Sequence, residues 1–325
     1  DAAAYGANFA ADPKAFLKPT LLWRRLSAVT GKQEVEFSYL TGGMRWEANY
    51  NAVAAEKGDT FDIIGWVTLE NMSGKDFENA SVKLMAGDVA RVMAEAANLR
   101  VSGGLADAMA RSGPAVTERA FEEYHLYTLE RPTTVLDREI KQVEFVRAAG
   151  VPAERIYIYD GFKLDPQYRG WNAINIRTRP EYGTESNPKV WVMLEFQNSE
   201  KSHLGMPLPK GKVKLYRRDI DARNEFIGED QIDHTPKDET VRLYTGNAFD
   251  IVGERRQTDF RLDTGGHWVD ESFEIKVRNH KQEPVTVRVV EHLYRWLQWE
   301  ITASSLRNTK TDARTMEFRP VIAAG

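Results

Sequence analysis

The residues able to do chemistry are few, and their spacing argues against most of it. Histidines stand at His125, His203, His234, His267, His280 and His292. None pair at i, i+2 or i, i+4, so no helix face is built to hold zinc. His234 lies in "GEDQIDHTPKDE" beside Glu229, Asp230, Asp233, Asp238 and Glu239. Oxygen-rich loops can hold calcium, but the D-x-D-x-D-G spacing is missing, and a solvated hairpin tip accounts for the charge. "RRDIDARNE" offers Asp219, Asp221 and Glu225, again without the central glycine. In "NMSGKD", Ser73-Gly74-Lys75 echoes a phosphate loop. Asp76 puts a negative charge where phosphate would sit, and no helix pattern follows. Asn71-Met72-Ser73 and Asn79-Ala80-Ser81 form glycosylation sequons, which recur by chance in chains of this length. "SGGLADAMARSG" lacks the G-x-G-x-x-G spacing for a dinucleotide.

Nucleophilic catalysis has no footing. G-x-S-x-G and S-x-x-K are both absent, and with no cysteine in the chain neither a thiolate nucleophile nor a disulfide is available. A glycosidase-like carboxylate pair stays open, because sequence does not reveal which carboxylates meet. The reading is therefore no enzyme, no cofactor and no metal. What remains is surface recognition. In "EHLYRWLQWE", strand alternation places His292, Tyr294 and Trp296 on one face and Leu293, Arg295 and Leu297 on the other, with Trp299 just beyond. Either face can be core. Turned outward, the aromatic one is a platform for sugar, peptide or protein.

The elements that must position these residues are strands. "MRWEANYNAV" puts Met44, Trp46, Ala48 and Tyr50 on one side, and "TFDIIGWVTLEN" does the same with Phe61, Ile63, Gly65, Val67 and Leu69. "QEVEFSYL", "EEYHLYTLE", "KQVEFVRAA", "ERIYIYD", "WNAINIRT", "KVWVMLEFQN", "GKVKLYRRD", "ETVRLYTG", "DFRLD", "ESFEIKVRN", "PVTVRVVEHLYRW" and "TMEFRPVI" continue the period of two. The expected class is all-β: tandem antiparallel β-sandwich domains of immunoglobulin type. The predicted division is an N-terminal arm over 1–30, a sandwich over 31–160 with a short helical or irregular insertion at about 93–120, and a second sandwich over 161–325. The insertion is rich in Ala, Gly and Ser. In the arm, Asp12-Pro13 starts a helix and Pro19 interrupts it. Its Phe16, Leu21, Leu22, Trp23, Arg24 and Arg25 make a basic, apolar segment suited either to its own core or to a partner or membrane surface. With Tyr294, Trp296 and Trp299 they are the candidate partner-binding residues.

Three stretches share one order. Each has an alternating strand ending in Asn71, Asn198 or Asn279, then a polar turn bearing lysine, then another strand. Asn suits such a place because its side chain bonds nearby backbone and tolerates left-handed geometry. "TGGMRWEANY", "LENMSGKDFENASVKLMAGDV", "GKVKLYRRD", "FIGEDQIDHTPKDETVRLYTGNAFDI" and "PVTVRVVEHLYRWLQWEI", in this order over roughly 33–325, resemble the bacterial domain of unknown function that forms the C-terminal part of mucoidy-inhibitor-A-like proteins. The resemblance implies an exported, envelope-associated protein and carries no catalytic residues. Asp1 followed by Ala2-Ala3-Ala4 fits a chain whose signal peptide has been removed, and equally one that begins further upstream. The net charge of −4 leaves no basic surplus for nucleic acid, and no stretch reaches the roughly 20 apolar residues of a membrane span. The expected role is a non-catalytic extracytoplasmic scaffold, periplasmic or peripheral to the membrane. It would be an accessory subunit whose partners are other proteins, a membrane-protein assembly among them. The alternative is a carbohydrate-binding or carbohydrate-active envelope protein.

Overall fold

The structure is a computed structural model that describes residues 31–32, 36, 38–56, 58–87, 116–121 and 124–325. The chain divides into Asp1–Thr41 and Gly42–Gly325. In the first unit the described residues are exposed and irregular. The strand expected from "QEVEFSYL" does not form at Glu36 or at 38–40; its other residues lie outside the described set, as do Phe16, Leu21, Leu22, Trp23, Arg24 and Arg25 and the insertion up to residue 115.

The second unit is predominantly β among the described residues. Its strands are β1 (Met44–Ala54), β2 (Thr60–Asn71), β3 (Phe77–Ala80), β4 (Lys83–Ala86), β5 (Val116–Phe121), β6 (Tyr124–Leu129), β7 (Thr133–Val135), β8 (Glu139–Pro152), β9 (Glu154–Asp160), β10 (Lys189–Gln197), β11 (Gly211–Arg218), β12 (Asn224–Ile232), β13 (Thr240–Leu262), β14 (Val269–Asn279), β15 (Val285–His292), β16 (Asn308–Lys310), β17 (Thr315–Phe318) and β18 (Val321–Ile322). One sheet runs β12-β11-β1-β2-β8. A second runs β14-β13-β10-β9-β15-β17-β16, with β18 on β15. Two smaller sheets are β3-β7 and β4-β6-β5.

Four local expectations are corrected. The end of the expected insertion is strand β5, paired with β6, and its Val116 is buried. "WNAINIRT" holds a helix, α1 (Ala173–Thr178), because the Asn172 side chain caps it by accepting from the Asn175 amide at 2.9 Å. "ETVRLYTG" and "DFRLD" are two ends of the single 23-residue strand β13. "EHLYRWLQWE" leaves the sheet after His292, so strand alternation no longer governs Tyr294, Trp296 or Trp299.

The sheets are not wholly antiparallel. β1 pairs β2 antiparallel but β11 in parallel, with Ala48 opposite Gly211. β9 repeats this arrangement, antiparallel to β10 and parallel to β15, with Val287 opposite Tyr157. In both cases the parallel partner follows the strand that leads into Asn198 or Asn279 (β10 before β11, β14 before β15). These ladders cross residue 160. One core holds Tyr50, Phe61, Val67, Phe145, Leu208, Leu215 and Leu243, and the other holds Tyr159, Val190, Ile251 and Val287. β13 feeds both, through Val241 and Leu243 at one end and Ile251 further on. The expected inward sets of β1 from Ala48 onward and of β2 are buried, while Met44 is exposed.

The three asparagines do more than shape turns. Each is buried and joins two loops. The Asn71 amide donates to the carbonyls of Lys75 (2.8 Å), Val135 (3.2 Å) and Leu136 (3.0 Å), while its oxygen accepts from the Ser73 amide at 3.0 Å. Asn198 donates to Met206 (2.9 Å), Thr235 (3.4 Å) and Pro236 (2.9 Å) and accepts from Gly205 at 3.1 Å. Asn279 donates to Glu283 (2.8 Å), Ile322 (3.3 Å) and Ala323 (3.0 Å) and accepts from Lys281 at 3.0 Å. Each thus bonds one carbonyl of its own turn and two consecutive carbonyls of a second loop. Buried carbonyls in irregular backbone need such donors.

Candidate functional site

The aromatic residues singled out from the sequence sit in a packed region. The Tyr294 hydroxyl donates to the Tyr182 carbonyl at 2.8 Å, and its ring lies 4.9 Å from Phe162 and 5.3 Å from Tyr182. Burial pushes its phenol up. Gly183, at φ 73°, leaves room for it; a Cβ there would stand 2.3 Å from the hydroxyl. The Arg177 guanidinium covers Trp296 at 3.9 Å. Trp299 donates to the Ala313 carbonyl at 2.9 Å and lies under Lys310. No open aromatic platform is formed by these three.

Beside them is a buried ionic network. Arg255 makes a two-pronged bond to Glu291 (2.6 and 2.8 Å) and donates to the Gly183 carbonyl at 2.8 Å. Burial works against the Arg255 cation, but Glu291 outweighs it and holds its pKa above the usual value. Arg295 donates to the carbonyls of Ile176, Arg179 and Tyr182. Its Nε lies 2.7 Å from Glu271, off the line of a hydrogen bond. Burial raises the Glu271 carboxyl, and Arg295 pulls it partly back. His292 bonds Asp160 at 2.9 Å, which raises the imidazole. Carboxylates shared with arginines in this way hold the 160–187 segment to β13, β14 and β15. The acidic turns are likewise occupied. Asp219 and Asp221 accept from the amides of Ile220 and Arg223, His234 accepts from the Lys210 amide, and Asp230 accepts from the Tyr244 amide. Among the described residues no three His, Asp or Glu side chains converge as a metal set.

A cleft of about 250 Å³ opens where the two cores meet. β1 contributes Ala52 and Ala54, β2 Phe61, β9 Arg155 and Tyr157, β11 Arg217, β12 Ile227, β13 Thr245 through Asp250, and Lys281 follows β14. The opening exists because β13 slips register against β10: Asn247 faces Trp191, but Val252 faces Lys189. β14 begins to pair only at Ile251, and β10 pairs Gly246 and Asn247 and then only Val252, so Ala248 to Asp250 bulge between the two ladders, and Gly246 and Asn247 have no ladder on their second edge among the described residues. Phe249 is thrown outward and is 95% exposed.

Three cations line this cleft, and none forms an ion pair among the described residues. Arg217 donates to the carbonyls of Ala55 (3.0 Å) and Glu56 (3.4 Å), and Lys281 donates to the Tyr157 hydroxyl at 2.8 Å. Burial, then the like charge of Arg155, holds Arg217 below its usual pKa, with Asp59 opposing. Asp250 is the carboxylate on the wall. These cations come from β9, from β11 and from the turn after β14, distant in sequence, and no spacing could have announced them. The nearest signal was Gly246-Asn247 breaking the alternation before Phe249.

No protein-family model, no curated protein and no solved structure matches the chain. Among the described residues no helix is long and apolar enough to cross a membrane, which says nothing of a β-barrel.

Proposed function

We propose that this protein is a non-catalytic interaction scaffold of the bacterial envelope, an exported accessory subunit of a larger assembly, built of interlocked immunoglobulin-like sandwiches and related to the mucoidy-inhibitor-A-like domain. The observation that carries the reading is Phe249: a large aromatic standing almost fully exposed on β13, a strand that feeds both cores. Aromatic side chains held out on rigid backbone are the usual anchors of protein interfaces. Trp268, half-exposed at the turn between β13 and β14, is a second apolar contact point on the surface.

The test is purification at native expression from gently solubilised membranes, with a photo-crosslinker at position 249. A stoichiometric partner crosslinked there is the expected result. A protein that elutes alone and monomeric, and crosslinks to nothing, overturns the reading.

A further inference from the structure

The cleft specifies the chemistry of what it takes, an inference that rests on the scaffold reading. Arg155, Arg217 and Lys281 line one small opening with Asp250, and none of the three cations forms an ion pair among the described residues; Arg217 and Lys281 donate only to carbonyls and a hydroxyl. Like charges gathered in a partly desolvated place are unfavourable unless an anion joins them. On the rim, Phe249 and the half-exposed Ile227 present apolar surface next to those cations. The edge of β13 between Gly246 and Phe249 offers backbone groups that no ladder uses. Cations, an apolar rim and a free strand edge together fit a short extended peptide better than a free small anion, which would use only the first of the three.

We propose that this cleft docks an extended acidic segment of a partner protein, with carboxylates on Arg155, Arg217 and Lys281 and an apolar side chain against Phe249. The segment lies along the open edge of β13.

The probe is a fluorescent peptide alternating Glu with Leu and Phe, followed by anisotropy on the full chain, beside the same peptide with Gln for Glu and with inorganic phosphate as competitor. The Glu peptide is expected to bind, and the Gln peptide to bind about tenfold more weakly or not at all. Raising salt from about 0.05 to about 0.5 M weakens binding, as screening demands. The double variant R155Q/K281Q and, separately, Phe249→Ser each lower affinity about tenfold. Arg217 is left intact because it also holds the Ala55 and Glu56 carbonyls. Phe249→Ser removes a solvent-exposed side chain, so its thermal midpoint stays that of the parent and its binding result is free of folding effects. Equal binding of the Glu and Gln peptides, no binding of the Glu peptide, full displacement by phosphate at the concentration of simple anion competition, or indifference to both variants overturns the proposal. If R155Q/K281Q still copurifies the native partner, the cleft proposal falls and the scaffold reading stands. If the Glu peptide binds as expected but nothing copurifies from membranes, the scaffold reading falls and the cleft stands.

Discussion

The Arg138 amide donates to the Asn71 carbonyl at 2.6 Å, and one unit further on the Asp238 amide does the same to Asn198 at 2.7 Å. Both donors sit in left-handed backbone, at φ 63° and 67°. In each case the side chain of the same asparagine bonds the two carbonyls that lie three and two residues before that donor. The strand that follows, β8 or β13, then pairs antiparallel with the strand the asparagine ends, β2 or β10. Asparagine is thus a register pin. It ties the exit of one strand to the entry of its future neighbour, and only a side chain with both a donor and an acceptor can do this.

Asn198→Ala removes the donor to Met206 and Pro236 and leaves their carbonyls unpaired. An unsatisfied buried polar group costs about 1–3 kcal/mol. The chemical-denaturation midpoint should fall by the equivalent of about 3 kcal/mol, while Asn51→Ala, at an exposed strand position, stays within about 0.5 kcal/mol. Equal effects from the two substitutions would remove the pin.

Arg255 and Glu291 must be judged as a pair. Arg255→Met leaves Glu291 buried beside no cation, and breaking such a pair costs about 3–5 kcal/mol. Replacing both, Arg255→Met with Glu291→Leu, should recover much of that loss. It will not recover all, because the Gly183 carbonyl loses its donor too. A double-mutant cycle on unfolding free energies measures the coupling. Additive losses would show that the pair contributes packing alone.

Gly253 is a strand glycine with a steric reason. A Cβ there would stand 2.0 Å from the fully buried Tyr159 ring. Gly253→Ala forces that ring off its place, an overpacking cost of about 1–3 kcal/mol, even though alanine suits a strand no worse than glycine. Gly246→Ala, where nothing lies within reach of a Cβ, tests backbone strain instead, since its φ is 128°. Thermal melts of the two variants separate the causes; a Gly253→Ala protein as stable as the parent would refute the steric account.

The same glycines explain what the sequence concealed. The all-β class and the inward faces of β1 and β2 were legible because alternation there is unbroken. β13 was not, because Gly246, Asn247, Asp250 and Gly253 read as turn punctuation, whereas they mark a register slip and the berth of Tyr159. α1 was hidden because six residues are too short for a helical period, although Asn172 as cap and Pro180 beyond its end were present as signals. The "EHLYRWLQWE" alternation misled because the strand stops at His292, and the residue that turns inward next is the charged Arg295. Buried arginine depends on carbonyls supplied from residues 176–182, which no local pattern contains.

His292 gives the fold a pH dependence whose sign follows from its partner. The hydrogen bond and charge of Asp160 raise the imidazole above its ordinary value, against the opposing effect of burial. A folded-state pKa raised above the unfolded one means that the fold binds the proton more tightly. The stabilisation is therefore complete below the unfolded value of about 6.5 and fades as pH rises through the higher folded value. Unfolding free energy measured from pH 5.5 to 8.5 should carry a downward component over that window, and His292→Asn, which retains a hydrogen-bonding side chain without the titration, should remove it. The partial exposure of the imidazole keeps the component small and sensitive to salt. An NMR titration of His292 is the direct check: a midpoint at or below the ordinary histidine value would reverse the sign and contradict the assignment of Asp160 as its partner.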